Sequence, residues 1–203
     1  MESNKSKLFI ISGSTASSKD TTLKELSNRG IVRTLLSTTT RPIRATEKQG
    51  REYNFISKEE FNEKEFVEKR MYTVANGDIW CYGLSYEEIY KCYNNFGNYA
   101  VILDVQGMRT LKEFINKEKE FINKEFKNDI EVITIMLQAS YYTRLVRYLN
   151  RDRLTDDTVK EAIRRINADM NEIEPFINEY DIVLKTEDDD LERNIKIIKS
   201  LCE

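Results

Sequence analysis

The chain has 203 residues, with 32 Lys and Arg against 35 Asp and Glu, a net charge of -3 and no histidine. That length fits one domain of ordinary size with a substantial core. The near balance of charge excludes a chain-wide trap for nucleic acid or anionic membrane, so any anion must be held by a local cluster. The lack of histidine excludes imidazole catalysis and histidine metal ligands, and leaves arginine, lysine, carboxylates and bound metal to do chemistry.

In chain order, "KLFIIS" reads as a buried strand ending at Gly13, and "KDTTLKELSNRG" has helical apolar spacing up to Gly30, a C-terminal stop. The joint between them, "GSTASSKDTT" (13–22), carries half of a phosphate-loop pattern, which is Gly, four residues, then Gly-Lys-Ser/Thr. Gly13 and Lys19 keep the spacing, while Ser18 replaces the second glycine and Asp20 the hydroxyl residue. In such a loop the backbone N–H groups of Ser14, Thr15, Ala16, Ser17 and Ser18 and the following helix start point at one anion, and Lys19 reaches the outer phosphates. Serine at 18 costs about 1–2 kcal/mol only if its φ is positive. A carboxylate at about 4 Å from a phosphate charge is repelled by about 4 kcal/mol at an effective dielectric of about 20. Asp20 is therefore expected either to hold Mg²⁺, directly or through water and with the Thr21 hydroxyl beside it, or to cap the helix start.

Residues 31–56 change character. "STTTRPIR" is β-branched and broken by Pro42, "REYNFIS" suggests a short strand, and Ser57 and Ser85 each open a Ser-x-x-Glu box that predicts a helix start. "YTVANGDIWCYG" predicts strands around a turn at Asn76 and Gly77, so a small mixed lobe spans 34–94. "YAVILDVQG" is a second core strand ending in Asp104, followed by a long charged helix in which "EFINKEK" (113–119) is repeated as "EFINKEF" (120–126). Two heptads read either as an amphipathic helix lying on the domain or as a dimer contact, so a monomer or a homodimer is expected. "IEVITIML", "SYYTRLVRYL", "TDDTVKEAIRRINADMNEIEPF", "YDIVLK" and "DDLERNIKIIKSLC" continue as strand, helix, helix, strand and helix. The alternation predicts an α/β fold, a parallel sheet flanked by helices, with ligands beyond the carboxyl ends of strands where Gly13 and Asp104 fall.

Cys81, Cys92 and Cys202 are odd in number and lack paired spacing, as expected of reduced thiols. No apolar run reaches the roughly 20 residues of a membrane span, and no signal-peptide pattern opens the chain. The expectation is a cytoplasmic protein without membrane or nucleic-acid polymer partners. Within "STTTRPIRATEKQGREY", Ser37, Arg41, Arg44 and Tyr53 are candidates to converge on one phosphate, since arginine's planar fork suits bidentate phosphate contacts.

"STTTRPIRATEKQGREYNFISKEEF", with "CYG" (81–83), "ILDVQG" (102–107) and "AIRRINADMNEI" (162–173), resembles guanylate kinase along nearly the whole chain. The resemblance implies one P-loop NTPase-type domain over 1–203: a core of 1–33, 95–137 and 180–203, a monophosphate-binding lobe of 34–94, and a helical lid with flanking helices over 138–179. It implies phosphoryl transfer from ATP to a nucleoside monophosphate with Mg²⁺. Carried over by motif, Arg41, Arg44, Tyr53 and Tyr82 hold the acceptor phosphate, Ser37 approaches the base, and Asp104 lines the acceptor and metal site. Lys19 holds donor phosphates, and Arg151, Arg153 and Arg165 resemble the lid and lid-flanking arginines. Arg164 and Arg165 point about 100° apart on a helix, so only one is expected to face the site.

The chain departs from the family where the base is read. The family's glutamate and hydroxyl positions, anchored without gaps on Tyr82 and Gly83, fall on Thr73 and Leu84, with Glu68 and Ser85 as substitutes if the segment is shifted. A carboxylate accepts from both guanine N1 and N2 donors, whereas threonine offers one hydroxyl and leucine no side-chain polar group. The expectation is GMP or dGMP as acceptor with relaxed or redirected base choice. The alternative, favoured by Ser18 and Asp20, is a guanylate-kinase-like module that docks a phosphopeptide or another protein.

Overall fold

The computed structural model describes residues 5–45, 47–74, 77–121, 128–150, 155–188 and 190–203. In order, its elements are β1 (Lys5–Gly13), α1 (Lys19–Asn28), β2 (Arg33–Thr34), β3 (Thr38–Thr39), β4 (Asn54–Phe55), α2 (Lys58–Glu63), β5 (Phe66–Thr73) and β6 (Ile79–Ser85). They continue with α3 (Tyr86–Asn94), β7 (Asn98–Ile102), α4 (Val105–Phe121), β8 (Asp129–Gln138), α5 (Tyr141–Leu149), α6 (Asp156–Glu172), a 3₁₀ turn (Glu174–Glu179), β9 (Ile182–Lys185) and α7 (Leu191–Leu201). Among the described residues these strands form a sheet of order β2-β7-β1-β8-β9, with β2/β7 and β8/β9 parallel, and a second sheet of order β4-β3-β6-β5. The parallel sheet flanked by helices is the α/β class that the alternating pattern predicts.

Two compact units divide the chain, Met1–Leu8 with Arg33–Val101 and Gln106–Val132, and Phe9–Val32 with Ile102–Val105 and Ile133–Glu203. In the first, Leu84, Ile89, Cys92, Ala100, Leu111 and Ile115 are fully buried, and in the second Phe9, Ile10, Leu26, Ile135, Leu137 and Ile198 are. The Leu8–Ile11 run of β1 has no exposed member, as an apolar run buried on both faces requires. Burial also pushes the Cys92 thiol far up its ordinary range, which makes it inert.

Local signals explain the element ends. Helix α1 stops at Gly30, whose φ of 66° lets its N–H reach Ser27 O at 2.9 Å while Ile31 N–H reaches Leu26 O at 3.0 Å. Ser57 and Glu60 form the predicted reciprocal capping box on α2. At α3 only half of the box is made: the Ser85 hydroxyl accepts from Glu88 N–H, but the Glu88 carboxylate accepts from Leu36 N–H at 2.9 Å and pairs with Lys91. Pro175 lies in the 3₁₀ turn just after α6, where its missing N–H costs nothing. The turn expected at Asn76, and the second heptad expected at 120–126 beyond Phe121, lie outside the described residues. Among the described residues no helix is long and apolar enough to cross a membrane.

Candidate active site

The glycine-to-lysine loop belongs to the second unit. A side chain at Gly13 would sit 2.4 Å from the Leu137 carbonyl oxygen and 2.5 Å from Ser17 Oγ, so the strand end and the loop close on a space that only glycine leaves. Ala16 and Ser18 adopt left-handed backbone, with φ of 59° and 65°. Ser18 thus occupies the geometry in which a missing glycine is costly, and it caps α1 without a side-chain hydrogen bond. Relief of about 1–2 kcal/mol of left-handed strain exceeds the roughly 0.5–1 kcal/mol entropic cost of glycine. Ser18→Gly is therefore expected to stabilise the protein by about 0.5–1 kcal/mol, or roughly 2 °C in melting temperature for a chain of this size. Calorimetric melting checks this, and a lowered melting point would contradict it.

Ser17 N–H closes the loop onto Ser14 O at 3.2 Å, and the Ser17 carbonyl accepts from Thr186 Oγ1 at 3.1 Å. Lys19 Nζ donates to Gly13 O at 2.6 Å and to Ser14 O at 2.9 Å, which holds the ammonium over the loop mouth. Asp20 and Thr21 are exposed on the first turn of α1, and Ser14 is buried. Asp104 follows β7 in the same unit. Its segment is fixed beside β1 by Ser12 Oγ donating to Leu103 O at 2.6 Å and by Leu103 N–H donating to Ile11 O at 3.2 Å. Among the described residues no three His, Cys, Asp or Glu side chains cluster as a metal cage.

Asp104 apart, the predicted acceptor residues belong to the first unit, and three of them meet. Arg41 is 5 % exposed, and its guanidinium lies 5.6 Å from the Tyr53 ring centre and 5.4 Å from that of Phe55. Tyr53 packs edge-on against Tyr82 at 5.9 Å, and Tyr82 against Tyr72 at 5.7 Å. Sequence reasoning missed the group that organises this cluster, Glu47. Its two carboxylate oxygens accept from Arg41 Nη1 at 3.0 Å and Nη2 at 2.8 Å, and one also accepts from the Arg44 N–H at 2.9 Å. Burial opposes the charged Glu47, but the Arg41 fork and the Arg44 N–H outweigh it and hold the carboxyl below its usual range. Its signal in the sequence is faint, a lone acid six residues after Arg41. The Arg44 side chain is half exposed, 3.8 Å from the same carboxylate, and Ser37 accepts Asn54 N–H on its carbonyl at 2.9 Å.

The β5–β6 register separates the two candidate base readers. Glu68 stands opposite Leu84, while Thr73 is exposed and stands opposite Ile79 at the far end of the hairpin. Leu84 and Tyr82 are two apart on β6 and share a face, and Glu68, 4 % exposed, shares it with them. Thr38 pairs with Gly83, so continuing that register by one residue brings Ser37 level with Leu84. Gly83 is glycine because a side chain there would meet the Phe66 ring at 2.6 Å.

In the second unit, Arg164 and Arg165 both donate to Glu161, at 2.7 Å from each Nε, and Arg165 also lies 5.9 Å from the Tyr148 ring centre. The hydrogen bond from Arg164 and that from Arg165 bring the Glu161 pKa down to about 2. Arg151 and Arg153 lie outside the described residues. A cavity of about 380 Å³ opens beside Ser14, and its lining carries two cations, Arg144 and Lys185, and two carboxylates, Glu174 and Glu187, with Arg144 paired to Glu174.

The guanylate kinase family model matches residues 5–203. A guanylate kinase of Malacoplasma penetrans is 30 % identical over 198 residues, covering 92 % of this chain and 88 % of that one. Another, of Geobacter metallireducens, is 30 % identical over 199 residues, covering 96 % and 86 %. The crystal structure of guanylate kinase from Anaplasma phagocytophilum superposes with a TM-score of 0.61 at 20 % identity, covering 98 % of this chain and 85 % of that one.

Proposed function

The chain belongs to the guanylate kinase family, and we propose that it transfers the terminal phosphoryl group of ATP to GMP or dGMP, releasing the diphosphate. The observation that carries this reading is the Arg41–Glu47–Tyr53–Tyr82 cluster, a buried arginine fork braced by one carboxylate and by the Tyr53 and Phe55 rings with Tyr82 packed on Tyr53, in a chain that also has a glycine-to-lysine loop. Phosphoryl transfer asks a protein chiefly to align donor and acceptor and to neutralise spread charge, which cations do without an imidazole. In the donor half, Thr15 N–H is held by Asp169 and Ser17 N–H by Ser14 O, so the amides of Ser14, Ala16, Ser18, Lys19, Asp20 and Thr21 cradle the phosphates, and Lys19 leaves the Gly13 and Ser14 carbonyls for the outer phosphates. In the acceptor half, Arg41 and Arg44 with the Tyr53 and Tyr82 hydroxyls hold the monophosphate. Arg151, Arg153 and Arg165 close on the triphosphate and keep water from it.

Mg²⁺ bound with ATP is held mostly by phosphate oxygens and water with one or two carboxylates. Asp20 with Thr21, and Asp104, fit that modest demand and would hold the ion, which would supply neutralisation of phosphate charge. We assign the base-reading carboxylate to Glu68 rather than Thr73, because it shares its face and its row with Leu84. Leu84 offers no side-chain hydrogen bond, so the preference for guanine should be weaker than a carboxylate and a hydroxyl together would give.

Steady-state rates with MgATP and GMP, dGMP, AMP, CMP, UMP or dTMP test this. GMP and dGMP are expected to be the best acceptors by a modest margin. Glu68→Gln should lower kcat/KM for GMP by about 10- to 100-fold, the worth of a hydrogen bond to a charged group, while leaving AMP unchanged. Retained guanine preference in that variant would remove Glu68 from base reading. No turnover with any monophosphate would point instead to a phosphate-recognising docking module.

A further inference from the structure

One ion pair grips both sides of Thr15 in the phosphate loop. Thr15 N–H donates to Asp169 Oδ2 at 2.8 Å, and Thr15 O accepts from Arg144 Nε at 3.0 Å. Arg144 Nη2 donates to the same Asp169 oxygen, and Nη1 donates to Glu174 Oε1 at 2.9 Å. Arg144 is 2 % exposed and lies 5.4 Å from the Tyr141 ring centre, whose hydroxyl donates in turn to Glu174. Every branch of the guanidinium is thus directed, at a buried position where an apolar pair of similar volume is commonly as stable or more so.

What such a pair adds over an apolar one is direction. The next residue, Ala16, and then Ser18 hold left-handed backbone, a conformation unfavourable to any residue with a side chain. Strained backbone of this kind persists only when its surroundings over-determine it. The grip on Thr15 does so from two helices, Arg144 coming from α5 and Asp169 from α6. These helices lead into and out of the segment that carries Arg151 and Arg153.

We propose that Arg144 and Asp169 are positioning residues, a clamp that holds the phosphate loop in its anion-binding shape and ties it to the two helices flanking the lid. Arg144 also cancels a carboxylate that would otherwise face the donor phosphates through the loop. The effect on catalysis rests on the kinase reading above, whereas the effect on the loop does not.

The test uses the full chain with Arg144→Leu/Asp169→Ala, which leaves no buried charge unpaired, and with Asp169→Asn. Three readouts are taken: melting temperature, amide exchange at Thr15 to Ser18, and the separate KM values for ATP and monophosphate. The double variant is expected to melt within a few degrees of the parent. Its loop amides should exchange at least about tenfold faster, and its KM for ATP should rise about tenfold with the monophosphate KM unchanged, a difference worth about 1.4 kcal/mol. Asp169→Asn keeps an acceptor for Thr15 N–H and should show a smaller change of the same kind. Parent-like exchange in a folded double variant, or equal rises in both KM values, would overturn the clamp. If the double variant does not fold, unchanged loop exchange in Asp169→Asn overturns it just as well. A parent protein without turnover would sink the kinase reading while the exchange data still decide the clamp.

Discussion

Replacing Lys19 with alanine is expected to lower ATP-dependent phosphoryl transfer by about 10²- to 10³-fold, the loss seen when one preorganised charge-stabilising donor is removed. The ammonium bridges Gly13 O and Ser14 O, so it is already gathered over the mouth of the loop and needs only to exchange carbonyl acceptors for phosphate oxygens. Ser14 O keeps the Ser17 N–H in the variant, which limits the structural cost. The monophosphate KM should stay within about twofold, because uniform binding at the acceptor site is untouched. Steady-state kinetics with each substrate varied in turn check the split. A variant retaining parental kcat would show that this loop does not carry the donor.

The second large effect is expected at Arg41. Arg41→Ala removes a fork that donates twice to Glu47 and leaves that carboxylate facing any incoming phosphate. Hydrogen bonds to charged groups are worth about 1.5–3 kcal/mol each, and the exposed carboxylate adds repulsion, so the monophosphate KM should rise on the order of 10²-fold with the ATP KM nearly constant. Stability should fall as well, since breaking a buried ion pair strands its partner. Arg41→Ala/Glu47→Gln is the informative companion: it should recover part of the lost melting temperature and little of the lost affinity. Affinity returning in step with stability would mean that Arg41 supports the lobe without touching the phosphate. Arg41→Lys should behave more like alanine than like the parent, because an ammonium cannot match a carboxylate and a phosphate with one planar fork.

The parts of this protein legible in the sequence are those set by local patterns. The apolar run before Gly13, the helical spacing after Lys19 and the serine caps at 57 and 85 each act over a few residues, and each appears in the structure where the pattern puts it. The positive φ of Ser18 was the condition on which its cost hung, and the backbone meets it. What the sequence hid is set by long-range pairing. Counting back from Tyr82 leads to Thr73, but a hairpin obeys its strand register, and residues 69–83 are spanned by the Glu68–Leu84 pair. Glu47 is one acid among 35 acidic residues until Arg41 folds onto it. Arg144, in a segment read simply as a helix, gave no sign that it would turn inward to Thr15, because its partners Asp169 and Glu174 lie 25 and 30 residues away.

The most direct test follows the transferred group itself. Protein incubated with ATP labelled in its terminal phosphate, Mg²⁺ and GMP should move the label into GDP, at a rate that depends on GMP and is nearly lost in Lys19→Ala. Label that stays in ATP, or that appears only as inorganic phosphate whether or not GMP is present, would contradict it.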